Sequence, residues 1–189
     1  TTRELLVDVP HDRLLAATVT TQRVTMINLD AQGRPLRPAI VWLDQRKADI
    51  GKVLPSLTFP VLKAARLYPL IEYATQYSRS NWIQQNQPEI WEATHKFLYL
   101  SGYFTYRLTG EFTDSTGNIV GTIPFDVKKM DWCGGLDPKW RMFPMEREKL
   151  PDLVQPADRL GVITTEAAEQ TGLPAGLPMV ASSNDKACD

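Results

Sequence analysis

The chain has 189 residues, of which 43% are apolar, 9% aromatic and 23% charged. That is ordinary globular composition, and it excludes a disordered, collagenous or coiled-coil chain. The 21 basic residues nearly balance the 22 acidic ones for a net charge of -1, so no charge excess recruits a polyanion, and nucleic acid is not an expected partner.

At about 150 residues per domain, the length fits one large domain, or one domain and a fragment. The two cysteines, Cys133 and Cys188, lie far apart in the chain. No disulfide staple is expected, and a reducing, cytoplasmic location is the plain reading. Neither C-x-x-C nor H-E-x-x-H occurs, so no zinc site is expected. Apolar runs are broken by charge before the roughly 18 residues that a spanning helix needs, so no membrane partner is expected.

The first third predicts strands. Leu14–Thr20 and Val24–Leu29 are apolar, β-branched runs, and Ala39–Trp42 is a third, shorter one. Asp30–Pro35 has turn chemistry, with Gly33 free to take a positive φ, so a small sheet with a hairpin is expected. The middle predicts helices. Gln45–Leu54 mixes charged and apolar residues at helical spacing, and Pro60 suits a helix start. Pro69 interrupts the pattern that follows. Trp82, Ile83, Ile90, Trp91, Phe97, Leu98, Leu100, Phe104 and Leu108 form an aromatic-rich set whose simplest role is core packing. Gly110 is a stop signal after it. Residues 125–151 carry several Pro and Gly and predict irregular structure anchored by Trp132 and Trp140. Thr164 or Thr165 caps a helix closed by Gly172. Leu173–Leu177 is a turn, and Pro178–Ser182 is a buried strand.

Three positions can carry chemistry. Asp185 stands just past the carboxyl end of that last strand, where open α/β sheets gather ligands. Ser182, Ser183 and Asn184 beside it are small and polar; spacing alone favours Asp185 or Asn184 as a helix cap. Gln22 and Arg23 bring several donors together between two strands, which suits a polyhydroxy ligand or a solvated turn. Trp42 offers an indole face to a sugar, while Asp44 and Arg46 either pair with each other or bind hydroxyls. Asp114, within Thr113-Asp114-Ser115-Thr116, reads mainly as a helix cap. Walker-A, G-x-G-x-x-G and G-x-S-x-G patterns are absent.

Taken in order, four stretches resemble the FGGY carbohydrate kinases, the group containing glycerol kinase and xylulokinase. Thr20-Thr21-Gln22-Arg23 followed by Trp42-Leu43-Asp44-Gln45-Arg46 is similar to the family's substrate-side hairpin. Tyr103–Glu111 with Thr113-Asp114-Ser115 is similar to its "L-T-G-E … T-D-x-S" segment, and Leu150–Val154 to its "L-P-x-L/V" segment. Leu160–Ala181 is similar to the stretch that leads into the catalytic Asp. The resemblance implies an α/β fold: a ribonuclease-H-like (actin-like ATPase) domain, a mixed sheet flanked by helices, here incomplete. It implies one partial N-terminal kinase domain over residues 1–189, with the phosphate-loop hairpin ahead of Thr1 and the second domain after Asp189.

The implied activity is ATP-dependent phosphorylation of a sugar or polyol hydroxyl, with Asp185 as general base and Gln22, Arg23, Trp42 and Asp44 binding substrate. The implied cofactors are ATP and Mg²⁺, held mostly by segments outside this chain; a homo-oligomer is compatible with the resemblance. The alternative is a non-catalytic sugar-binding or structural fragment. Three departures bear on the site. The xylulokinase pattern has Gln-Met-His at the Gln22-Arg23-Val24 corner, and that is absent here. Val24 stands where the glycerol kinase pattern has Glu, which disfavours glycerol. Asn184 stands where the residue before the catalytic Asp is usually Gly.

Overall fold

The computed structural model describes residues 1–188 and divides into two compact units. A terminal unit gathers Thr1–Val24, Leu98–Ile119 and the chain from Pro151 onward; a central unit gathers Thr25–Phe97 and Val120–Leu150. Asp189, the last residue of the expected domain, lies outside the described residues. Strands pair in twos, both parallel and antiparallel, among short helices. Among the described residues, no helix is long and apolar enough to cross a membrane.

In the terminal unit, the strand Thr113–Ser115 runs parallel to Asp152–Val154, and Arg159–Val162 runs antiparallel to Pro178–Val180. Leu160, Ile163, Ala167, Leu177, Met179 and Ala181 form the buried core here, with Leu14, Ala17 and Leu108 packed against it. Thr165–Thr171 is helical as expected: Thr164 Oγ1 accepts from Ala167 N, and Gly172 closes the helix at φ +81°. The helix Leu100–Thr109 ends at Gly110, whose φ of +78° puts it in the left-handed region that a Cβ disfavours. The expected strand Leu14–Thr20 does not form. Only Ala17 bridges to Met179, through Ala17 N to Pro178 O and Val180 N to Ala17 O. The residues after it are instead tied through side chains.

In the central unit, Met26–Leu29 is a strand, and Lys96–Tyr99 is another, along which the chain leaves this unit. Phe97 and Leu98 thus lie in a strand rather than a helix. The turn after Leu29 forms with Gly33 at φ +74°. The third strand, Ala39–Trp42, reduces to a single bridge between Ile40 and Met26. Pro35 and Pro38 cannot donate to a ladder, which limits the hairpin to isolated bridges. The expected helix over Gln45–Leu54 reduces to one turn, Ile50–Lys52. Asp44 and Asp49 accept the amides of Arg46 and Gly51 two residues on, and these local bonds compete with a helix. Pro60 and Pro69 sit in the first turns of Phe59–Ala64 and Tyr68–Gln76. The stretch 125–150 is largely irregular as expected, with Phe125–Asp126 paired to Asp131–Trp132. Trp132 is buried there, and Trp140 Nε1 donates to the carbonyls of Cys133 and Gly134.

Candidate active site

The terminal unit brings Asp185 and Arg23 together. Segment 19–23 and segment 182–185 lie side by side, joined by hydrogen bonds. Ser182 Oγ donates to Val19 O at 2.7 Å, Thr20 Oγ1 to Ser183 O at 3.0 Å, Asp185 N to Thr21 O at 3.1 Å and Arg23 Nε to Asn184 Oδ1 at 2.7 Å. The residues expected to make a strand edge thus make a polar seam. Asp185 opens the short helix Asp185–Cys188, just beyond the strand Pro178–Val180. Its Oδ1 accepts from Lys186 N at 2.9 Å. Among the described residues, its Oδ2 has no partner and the carboxylate makes no ion pair, so it is available to an incoming alcohol.

Val24, immediately after Arg23, has a φ of +59°. A β-branched residue in the left-handed region is strained, and strain of this kind persists only where surrounding contacts hold it. The seam supplies such contacts on one side.

The seam is braced from below by the turn after Thr113–Ser115. Gly117 O accepts from both Ser183 Oγ and Asn184 Nδ2, each at 2.8 Å. Asn118 Nδ2 in turn donates to Asp114 Oδ1 at 3.0 Å. Asp114 is fully buried and also accepts from Ser101 Oγ at 2.8 Å and Ser115 N at 2.8 Å. Burial pushes its carboxyl up to about 6, against the pull of the Asn118, Ser101, Ser115 and Gly102 hydrogen bonds. The expectation that Asp114 caps a helix is corrected: Ser115 is the cap, its Oγ accepting from Gly117 N at 3.2 Å. Asp114 is instead the anchor of the brace. Two features in the sequence mark this brace: the polar run around Asp114 and the small residue at 117.

A Cβ on Gly117 would lie 2.8 Å from Ser183 Oγ and 3.2 Å from Ser183 Cα. Gly117→Ala is therefore expected to push the 182–185 segment away, destabilising the fold by about 1–3 kcal/mol. A thermal melt of the variant checks this; an unchanged melting temperature contradicts it.

Trp42 and Asp44 belong to the central unit. Trp42 is 54% exposed, so its indole is free for a ligand's C–H face rather than used in a core. Asp44 and Arg46 pair: Arg46 N and Nε each donate to Oδ1 at 2.9 Å, and Arg46 Nη2 reaches Oδ2. The Arg46 side-chain hydrogen bonds hold the Asp44 carboxyl down to about 2, with burial opposing. The Arg46 guanidinium stacks over Trp82 at 4.4 Å. Arg79, only 5% exposed, donates to the carbonyls of Trp42 and Tyr77 at 3.4 and 3.3 Å, and burial lowers its pKa. Arg79 escapes a reading by residue type, because an arginine in a Ser-Arg-Ser-Asn run reads as surface.

Among the described residues, no group of three or more His, Cys, Asp or Glu gathers to hold a metal ion. The site is a carboxylate, a guanidinium and amide donors, suited to orienting an alcohol and taking its proton.

Comparison with known proteins places the chain in a family. The family model "FGGY family of carbohydrate kinases, N-terminal domain" matches residues 1–188. Xylulose kinase of Escherichia coli strain K12 is 31% identical over 170 residues, covering 84% of this chain and 32% of that protein. L-fuculokinase of Salmonella typhi is 30% identical over 170 residues, covering 89% of this chain and 35% of that protein. The chain thus spans about a third of the length of these relatives. Among solved structures, xylulose kinase from Lactobacillus acidophilus superimposes with a TM-score of 0.74 at 18% identity, covering 97% of this chain and 37% of that one. Xylulose kinase from Rhodospirillum rubrum superimposes with a TM-score of 0.73 at 22% identity, covering 98% of this chain and 39% of that one. The fold is the α/β, actin-like ATPase fold of sugar kinases, of which this chain covers a part.

Proposed function

On the premise that this chain belongs to the FGGY family of carbohydrate kinases, we propose that it supplies the sugar side of an ATP-dependent phosphorylation, with Asp185 as general base. The observation that carries this reading is the seam that sets Asp185, with one carboxylate oxygen uncommitted, beside Arg23 at a strand end. The attacking hydroxyl oxygen bonds to the γ-phosphorus, the bond from that phosphorus to the ADP oxygen breaks, and the hydroxyl proton passes to Asp185. Such a transition state is loose, so placing the alcohol in line matters more than early proton removal. Arg23 and Gln22 orient the sugar through hydrogen bonds. Orientation of this kind contributes roughly 7–11 kcal/mol in favourable cases.

ATP and Mg²⁺ are the co-substrate and ion of this reading. The chain is read as an N-terminal kinase domain, acting with further polypeptide in the cytoplasm on a small-molecule partner. Xylulose and fuculose, named for the two relatives, are both ketoses, and Val24 in place of a carboxylate argues against glycerol.

The test is ADP release by the complete polypeptide carrying this domain, with xylulose, fuculose, pentitols and glycerol in turn. Saturable, ketose-dependent release is the expected result. A sugar-dependent rise in melting temperature without release would favour the non-catalytic sugar-binding alternative. Neither signal with any sugar overturns the proposal.

A further inference from the structure

We propose that Asn184 is a positioning residue that aims Arg23 at the substrate and couples it to the Asp185 helix. This rests on the reading of Arg23 and Asp185 given above. Asn184 is 5% exposed, yet both ends of its amide are used. Nδ2 donates to Gly117 O at 2.8 Å, and Oδ1 accepts from Arg23 Nε at 2.7 Å. An amide nitrogen only donates and an amide oxygen only accepts, so these two partners admit one orientation of the group. Its own backbone carbonyl accepts from Ala187 N and Cys188 N at 2.9 and 3.2 Å, which starts the helix that opens with Asp185. One residue therefore joins the brace, the guanidinium and the carboxylate-bearing helix.

The consequence for Arg23 follows from its shape. A guanidinium is a rigid plane, so holding Nε fixes the direction of the two terminal nitrogens. Arg23 makes no ion pair among the described residues, and no acidic side chain claims those nitrogens. They lie side by side and suit two adjacent acceptor oxygens, such as a vicinal diol. A glycine at 184 has no side-chain amide to offer. Arg23 would then be held only by solvent, and much of its orientation would have to be established as the sugar binds.

The test uses the complete polypeptide, with kcat, KM and sugar-induced melting shifts measured for the best ketose. Asn184→Gly is expected to raise KM about tenfold while kcat stays within about threefold, the signature of lost binding rather than lost chemistry. Arg23→Ala should raise KM at least as much. Because Asn184 acts through Arg23, the double variant should be no worse than Arg23→Ala alone. Additive losses in the double variant, or an unchanged KM in Asn184→Gly, overturn the inference. Should Asn184→Gly fail to fold, Asn184→Ser, which is too short to reach Arg23 yet still caps a helix, is expected to give the same rise in KM and the same non-additivity; an unchanged KM or additive losses there overturn the inference equally. Asp185→Asn run in parallel separates the two failures. If that variant still turns over, the catalytic reading is wrong; if it is inactive while Asn184→Gly has a normal KM, only the present inference is wrong.

Discussion

Asp185→Asn in the complete polypeptide is expected to lower kcat by about 10²–10⁴-fold while sugar binding changes by less than about threefold. The substitution keeps the size of the side chain and an oxygen able to accept from Lys186 N, a 2.9 Å bond in the native structure. The backbone bond from residue 185 to Thr21 O is untouched. What disappears is the anionic oxygen to which the proposed function assigns the hydroxyl proton. An amide can still accept a hydrogen bond from the alcohol, so the sugar can still be seated. Sugar binding by calorimetry and turnover by ADP release separate the two effects. Turnover within tenfold of the parent would assign the proton acceptor elsewhere. A parallel loss of binding would make Asp185 a structural cap, the reading that its place at the start of a helix favours on spacing alone.

A pronounced pH dependence of stability is expected between about pH 4 and pH 6, and its source is Asp114. Burial raises this carboxyl to about 6 from its ordinary value of 3.8. Over that window the folded chain keeps a proton that the unfolded chain has already released. The folded state therefore binds more protons, and stability falls as pH rises. The protonated group's contribution is complete below about pH 4 and lost above about pH 6. At 1.36 kcal/mol per unit, the change is on the order of 3 kcal/mol. Denaturant melts across this range, compared between the parent and Asp114→Asn, check the source: the slope should largely vanish in the variant. An equal slope in both would place the titrating group elsewhere.

The hydrogen bonds that oppose this cost explain why an acid is kept there. Ser101 Oγ, Asn118 Nδ2 and Ser115 N all donate to Asp114. Asp114→Ala would leave these buried donors without an acceptor, at about 1–3 kcal/mol each when no water replaces it. Against a total stability of about 5–15 kcal/mol for a typical domain, that is a large fraction. Through Asn118 and Gly117, the same loss would slacken the support under Ser183 and Asn184.

Elements set by local chemistry were legible in the residues themselves. Thr164 and Gly172 bracket the helix Thr165–Thr171, Gly110 ends Leu100–Thr109, and Gly33 turns the chain after Leu29. Each depends on a cap or a turn whose signal lies within a few positions. Elements that need partners elsewhere were less legible. Leu14–Thr20 has the residue types of a strand, but its backbone meets only Met179 and its neighbours. Gln45–Leu54 has helical spacing, but Asp44 and Asp49 capture nearby amides first. Ser78, Arg79, Ser80 and Asn81 are polar residue types, yet all four are buried. Asn81 Nδ2 donates to the carbonyls of Thr75 and Met142, the second of them far along the chain.

The site divides along the same line. Residue types in order along the chain pointed to Asp185, Gln22, Arg23, Trp42 and Asp44, and to a phosphoryl transfer to an alcohol, because motif order survives in one dimension. That Asn184 holds Arg23 and that Asp114 anchors the turn beneath them were decided by tertiary structure. A hydrogen bond depends on distances of about 3 Å between groups that can lie more than a hundred positions apart in the chain. Residue types state what a group can donate or accept; only the folded backbone states which group it meets.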